Sequence, residues 1–488
     1  MNRIDITSEL QSSALRNVDV LVIGGAGAGL MAAVAAAEQG VKVALASKLP
    51  AGGMSNTAII AGWFTRSTEE SSDELFHQVV HIGGYLNNQR LVDVFVREVQ
   101  DKMPQLQEYG VELFSEDVSS RIDKPGHYQV GRIEGKRRGY GLTQPLRNTA
   151  EKLGVEILDN VMVTALLTSN QSVVGATAVD LEKNQFCVIS AKSTILATGG
   201  GACAYERNDN AEGTTGDGFA MAYRAGVELV DIECISFSVP HARMEAIFNL
   251  KNPPDEEILR VGGCHYFLGG VKIDEKACSN LDGLYAAGEV TGGLFGAARL
   301  GGSAMADTIV FGAISGQNAA ERAKSISMPV IDQTQVDAEE KWLTQIFDGG
   351  DQSPEEVAGK IRNILWRYAG TMKTDATLEK AQQELDAMIP MVNAQRVQNM
   401  TDLRTAIEAR NMLDLGRVIV AASTLRQETR GCYWRIDYPK PDNDNWLKNI
   451  IIWKDNNVLK TRIQDAIMTK LRVPTEPPIG PGCFGYTR

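Results

Sequence analysis

The 488-residue sequence predicts an α/β fold, a discontinuous Rossmann-like nucleotide-binding domain joined to a C-terminal helical bundle. Three observations predict it. The apolar run Val20-Leu21-Val22-Ile23 leads directly into Gly24-Gly25-Ala26-Gly27-Ala28-Gly29 and then into an alanine-rich stretch. Strand, glycine turn and helix return late in the chain, from Gly283 to Lys324. Between residues 337 and 426 apolar residues recur at helical spacing, as in Ile361, Ile364, Leu365 and Tyr368.

Taken in order, Met1 to Arg16 holds Asp5 and Glu9 and no apolar run, so it does not read as a secretory signal. Val20 to Ala37 is free of charge for 18 residues, a crude membrane-span criterion, but its four glycines favour strand, loop and helix. A second strand, Val41 to Ala46, ends at Ser47-Lys48, and further strands are read at Val173 to Leu181 and Thr194 to Ala197. The expected organisation is a nucleotide-binding domain over 17–240 and 262–330, a short acidic, proline-containing insert over 241–261, and a helical domain over 335–430. A C-terminal segment, 431–488, packs on the body. Glu428 to Asp455, which spans the junction of the two, is an aromatic, strand-like run, and Pro474 to Arg488, with four prolines and three glycines, is expected to lie extended on a surface.

A net charge of −12 argues against nucleic acid and anionic membrane as partners, since both are repelled at long range. An anionic substrate needs local positive groups. The seven cysteines are scattered, with no C-x-x-C pair, so no metal site is expected, and reduced thiols suit a cytoplasmic protein. An iron-sulfur electron carrier would sit on another chain.

The turn from Gly24 to Gly29 offers what a pyrophosphate requires: close backbone approach and the free amides of a helix start. Ala26 stands where the dinucleotide fingerprint has its second glycine, which is tolerable only at negative φ. Met54-Ser55-Asn56-Thr57, with Gly62 beyond, can present amides to a phosphate or a flat ring, and by itself reads equally as a flexible loop. Ala197-Thr198-Gly199 is a second strand-to-turn junction, followed by Thr215-Gly216-Asp217-Gly218. Late in the chain Gly288-Glu289 and Ala298-Arg299-Leu300-Gly301-Gly302-Ser303-Ala304-Met305 place one acid and one arginine inside glycine turns.

In this order these motifs resemble the succinate dehydrogenase/fumarate reductase flavoprotein family, which includes L-aspartate oxidase and the adenylylsulfate reductase flavin subunit. Ser47-Lys48, His265-Tyr266-Phe267-Leu268-Gly269-Gly270, Arg410-Asn411-Met412-Leu413-Asp414-Leu415 and Glu428-Thr429-Arg430-Gly431 extend the resemblance over nearly the whole chain. It implies FAD, with the pyrophosphate on Gly24, Gly25, Ala26, Gly27, Ala28 and Gly29, and Ser47 and Lys48 near the adenosine half. Met54, Ser55, Asn56, Thr57 and Gly62 would lie near the flavin, Val163, Ala197, Thr198 and Gly199 along the cofactor, and Asp217 and Glu289 at its hydroxyls. Ala304 and Met305 would cap the ring.

Departures from the family pattern shape the expected chemistry. Asn56 stands where membrane-bound members have the histidine that bonds FAD covalently, so non-covalent FAD is expected. The family's Phe-His-Pro run is here Phe237-Ser238, with His241 the next histidine, and the insert is too short to be more than a vestige of the family's capping domain. It contains Arg243, Lys251 and Arg260 but no arginine-glycine-glutamate-glycine element that marks the proton donor. His265 and Arg299 remain as candidate carboxylate contacts, with Ser238 and His241 as further candidate catalytic residues. Read alone, His265 is a buried, hydrogen-bonded histidine before a glycine turn and Arg299 a structural ion pair; only the motif set around them makes them candidate site residues. Trp63 and Phe295 could narrow the pocket or belong to the core. The sequence therefore predicts an FAD-dependent oxidoreductase exchanging a hydride with a small, carboxylate-bearing substrate. Two alternatives stay open: an FAD-bearing subunit whose open flavin face is covered by an iron-sulfur or ferredoxin-like protein, and a non-catalytic FAD-binding scaffold.

Overall fold

A computed structural model describes residues 11–12, 15–60, 62–115, 126–238, 262–347 and 349–473. The strands β1 (Arg16–Ile23), β2 (Val43–Ser47), β3 (Glu156–Asp159), β4 (Val161–Ser169), β5 (Ser172–Asp180) and β6 (Gln185–Leu196) lie in the order β3-β2-β1-β6-β5-β4. β7 (Leu284–Ala286) and the short strand Gln11–Ser12 both pair in parallel with β6. Val20, Leu21, Val22 and Ile23 of β1 are buried, as a parallel strand covered on both faces must be. The charge-free stretch is thus strand, turn and helix.

Helix α1 (Gly27–Ala37) follows β1, α2 (Asp217–Arg224) follows β6, and α3 (Ser303–Ser325) packs across α1. That crossing depends on absent side chains, because a Cβ on Gly316 would come 2.3 Å from the Ala32 carbonyl oxygen. Close helix contact is how the late segment joins the first. The helical region comprises α4 (Gln333–Phe347), α5 (Pro354–Tyr368), α6 (Asp375–Asn393) and α7 (Met400–Leu425). Sequence punctuation sets their starts: Ser353 and Glu356 form a reciprocal cap with Pro354 in the first turn of α5. Helix α7 is tied to the nucleotide-binding unit by Arg224–Asp414 at 2.7 Å and by the Asn411 amide donating to Asp217 at 2.8 Å.

The strand expected from Glu428 begins only at Lys448, where Lys448–Asp455 pairs with Val458–Asp465 and with Leu229–Val230. Before it the chain turns repeatedly, because Arg435 Nη1 takes the carbonyls of Ser423 and Arg426 and the Thr429 hydroxyl donates to the Arg435 carbonyl. Side chains there satisfy the backbone that a sheet would otherwise pair. The vestigial insert with His241 and the tail from Pro474 lie outside the described residues.

Candidate active site

The C-terminal ends of β1, β2 and β6 open onto a cavity of about 410 Å³, where a doubly wound sheet places its ligand. Gly24 turns the chain at φ +114°, and a Cβ there would meet the Ala197 carbonyl oxygen at 2.2 Å. Ala26 is extended, φ −91° and ψ −165°, so its methyl costs nothing. Helix α1 starts with no side-chain cap and no acid in its first turn. The Gly27 N–H donates to the Thr57 hydroxyl at 3.4 Å, and the dipole of the helix start still favours an anion there.

The cavity wall holds Gly24, Gly25, Ala26 and Ala28, then Ser47 and Lys48, then Met54, Ser55, Asn56, Thr57 and Gly62. Val163, Ala197, Thr198, Gly199, Asp217, His265, Glu289, Arg299, Ala304 and Met305 complete the predicted set found there. Gly27 and Gly29 do not line it. Their work is packing: a Cβ on Gly29 would lie 1.8 Å from the Gly24 carbonyl oxygen, and one on Gly27 would lie 2.8 Å from Thr57 and Thr308 methyls. Trp63 stands at the rim, 42% exposed, whereas Phe295 is a core residue, edge-on to Phe95 and Tyr266. Of the two aromatics, only Trp63 borders the cavity.

Lys48 binds Asp217 at 2.5 Å and Glu408 at 2.9 Å, and Asp217 also accepts from Thr215 and Asn411. Burial alone would discharge Lys48, but the two carboxylates outweigh it and hold its pKa above the usual range. Asn56 accepts the Ala211 N–H at 2.8 Å and donates to Glu289 and Asn210. It stitches the 208–211 loop to the acid at Gly288-Glu289. Glu289 also accepts the Phe267 N–H at 3.1 Å, and burial raises its pKa.

The Arg299 guanidinium lies over the Tyr266 ring, 4.3 Å from its centroid. Among the described residues it makes no salt bridge, and its buried Nε has no hydrogen-bond partner. A flat cation held on an aromatic face keeps its fork of donors for a carboxylate. Asp307, on the first turns of α3, is buried with an unpartnered Oδ1, and burial pushes its pKa up to about 7 despite Arg299. The nearby acids therefore neutralise Arg299 less than their number suggests.

Ser238 is outside the cavity wall. Its hydroxyl donates to Asp209 Oδ2 at 2.8 Å, and the same carboxylate meets His265 Nδ1 at 2.9 Å. Sequence reasoning missed Asp209, Tyr266 and Asp307. The available signal for the first was the triplet Asn208-Asp209-Asn210, lying between two glycine turns.

The donor set fits a dinucleotide whose pyrophosphate lies at an uncapped helix start. The profile of the FAD binding domain family matches residues 19–245 and 238–305, and that of the fumarate reductase flavoprotein C-terminal family matches 358–478. One component of the CoM/CoB fumarate reductase of Methanothermobacter marburgensis is 29% identical, over 90% of this chain and 98% of its own. The fumarate reductase flavoprotein subunit of Haemophilus influenzae is 25% identical, over 90% and 92%. Among solved structures, E. coli quinol fumarate reductase superposes with a TM-score of 0.82 at 22% identity, over 96% of this chain and 99% of that one. Adenylylsulfate reductase of Archaeoglobus fulgidus superposes at 0.76 and 16% identity, over 95% and 98%. The chain belongs to the succinate dehydrogenase/fumarate reductase flavoprotein family. It is an FAD-dependent oxidoreductase, and among its described residues no helix is long and apolar enough to cross a membrane.

Proposed function

We propose that this chain oxidises or reduces a small carboxylate-bearing substrate clamped by Arg299, with His265 beside it. The observation that carries this reading is the Arg299 guanidinium, fixed on Tyr266 and without an ion-pair partner among the described residues. FAD, when bound, supplies hydride exchange. The turn from Gly24 to Gly29 would hold its pyrophosphate, Ser47 and Lys48 would lie by the adenosine half, and Asn56, Thr57 and Gly62 by the ring. Asp217 and Glu289 would serve its hydroxyls with remaining lone pairs, since each of their carboxylate oxygens already accepts a hydrogen bond from the protein. Arg299 orients the carboxylate bidentately and excludes water from that edge.

The names of the relatives point to fumarate, but Phe237-Ser238 lacks the family's anchor histidine, so the substrate class is kept at small carboxylates. To test it, the protein would be reduced with dithionite and exposed, without oxygen, to fumarate, other unsaturated carboxylates and their neutral amides. Return of the oxidised flavin spectrum with carboxylates alone supports the clamp; indifference to the whole carboxylate set contradicts it.

A second reading, an FAD-bearing subunit working with an iron-sulfur protein, is favoured by the exposed Met54, Ile60 and Trp63 at the cavity rim, 51%, 42% and 42% exposed. The relatives' names also describe subunits. Turnover by the purified chain with a soluble electron acceptor would defeat an obligate complex.

A further inference from the structure

We propose that an exposed aromatic row and the basic loop beside it form a docking face for a small acidic protein that carries a one-electron centre. The proposal rests on the second reading above, that electrons pass between the flavin and another protein, and goes beyond it by naming the face and the partner's chemistry.

Three short strands, Trp63–Arg66, Gly126–Val130 and Leu113–Ser115, form a separate antiparallel sheet. Gln129 is paired with Trp63 on one side and with Phe114 on the other, so the three side chains stand on one face. The opposite face, with Phe64, Leu113, Tyr128 and Val130, is buried in the core. Trp63 and Phe114 are 42% and 36% exposed, so the outward row is open. Trp63 also borders the flavin cavity.

From Val130 the chain enters Arg132-Ile133-Glu134-Gly135-Lys136-Arg137-Arg138 and then the helix Tyr140–Lys152. Arg132, Lys136 and Arg137 are exposed, with Ile133, 37% exposed, among them. Arg138 donates to Gln129, and a Cβ on the cavity residue Gly62 would lie 2.8 Å from its Cδ, so the loop abuts both the row and the cavity mouth. Among the described residues these four cations make no salt bridge, and Lys136 lies over the Tyr140 ring, 5.2 Å from its centroid. Glu134 in the loop and Glu112, whose carbonyl accepts the Gly131 N–H at 2.7 Å, offset only part of the charge.

Arginines and aromatics together have the make-up of a protein interface. This one selects its partner by charge and size. On a chain of net charge −12 an extended polyanion or an anionic membrane meets repulsion beyond the patch, whereas a small acidic protein covers the patch alone. Repulsion elsewhere then orients the partner, because only this face attracts it. Its place at the cavity mouth assigns the partner a redox centre. A hydride is two electrons and one proton, so two carriers dock in turn, each taking one electron, and the proton goes to solvent. In the reducing direction two reduced carriers each give one electron, and solvent gives the proton.

The test mixes the oxidised, FAD-loaded protein, without oxygen, with an acidic two-iron ferredoxin that has been reduced beforehand and freed of reductant. Flavin bleaching is followed by stopped flow. Reduced methyl viologen, too small to need a docking face, is the control. Wild type is compared with two triple variants, one neutralised (Arg132→Gln, Lys136→Gln, Arg137→Gln) and one charge-reversed (Arg132→Glu, Lys136→Glu, Arg137→Glu). The wild-type ferredoxin rate should fall steeply between about 20 and 500 mM salt. At low salt it should be about 10-fold or more lower in the charge-reversed variant, with the neutralised variant between. Viologen rates and FAD content should be no lower than in wild type. Equal ferredoxin rates in the three proteins, a wild-type rate indifferent to salt, or an equal loss with viologen would overturn the docking face while the second reading stands. Bleaching of wild type by viologen but not by ferredoxin would overturn both.

Discussion

Arg299 shows how much one residue's surroundings decide. Lysine at this position would keep the charge but lose the planar fork that rests on Tyr266. Arg299→Lys should therefore bind carboxylate weakly while retaining FAD, as measured by flavin absorbance during ligand titration. Asn56 has its side chain committed to Ala211, Asn210 and Glu289 and carries no nucleophilic nitrogen. Acid precipitation should leave all FAD in the supernatant; flavin in the pellet would contradict non-covalent binding. Asp307 gives a pH prediction. Its pKa rises from 3.8 to about 7 on folding, so the folded state holds more protons between those values and stability is lost as pH climbs through that window. Asp307→Asn should stabilise the fold at pH 8 by on the order of 2–4 kcal/mol and not at pH 3.5, in urea unfolding at the two pH values. Arg299 was legible in the sequence because it sits in a glycine turn. Asp209 and Asp307 were not, because what they face is decided by chain segments 56 and 8 residues away.

At the scale of elements, the β1-turn-α1 unit makes a sharp contrast between glycines. Gly29→Ala would drive a methyl to 1.8 Å from the Gly24 carbonyl oxygen, so purified protein should lack FAD and fold poorly. Gly359→Ala, within α5 and with nothing within 4 Å, should instead raise stability by up to about 1 kcal/mol, read by thermal unfolding. Periodicity and glycine turns made β1, β2, β5, the end of β6, α1, α3 and the bundle readable beforehand, whereas β3 and β4 were not read. The segment after Glu428 was misread, since aromatic composition suggests a strand, whereas the decisive interactions are arginine side chains on backbone carbonyls. Phe295 illustrates the same limit: its residue type fits a pocket wall, and only packing against Phe95 and Tyr266 assigns it to the core.

For the molecule as a whole, Arg426 joins distant segments. Fully buried, it meets Asp231 at 3.0 Å, Glu233 at 2.6 Å and Glu428 at 3.1 Å, and donates to the carbonyls of Trp446 and Lys448. Arg426→Leu would strand three buried acids and should cost about 3–5 kcal/mol in urea unfolding. Such a tie keeps the C-terminal region on the body. The family was legible from ordered motifs along nearly the full chain, but the rebuilt surroundings of His265 were not, because Asp209 meets it only after folding. The central claim, that Arg299 clamps a carboxylate beside FAD, is tested most directly by the dissociation constant of a small dicarboxylate, followed by flavin absorbance, in wild type and Arg299→Ala. The account predicts binding weakened about 100-fold in the variant with its FAD retained; equal affinity in the two proteins would contradict it.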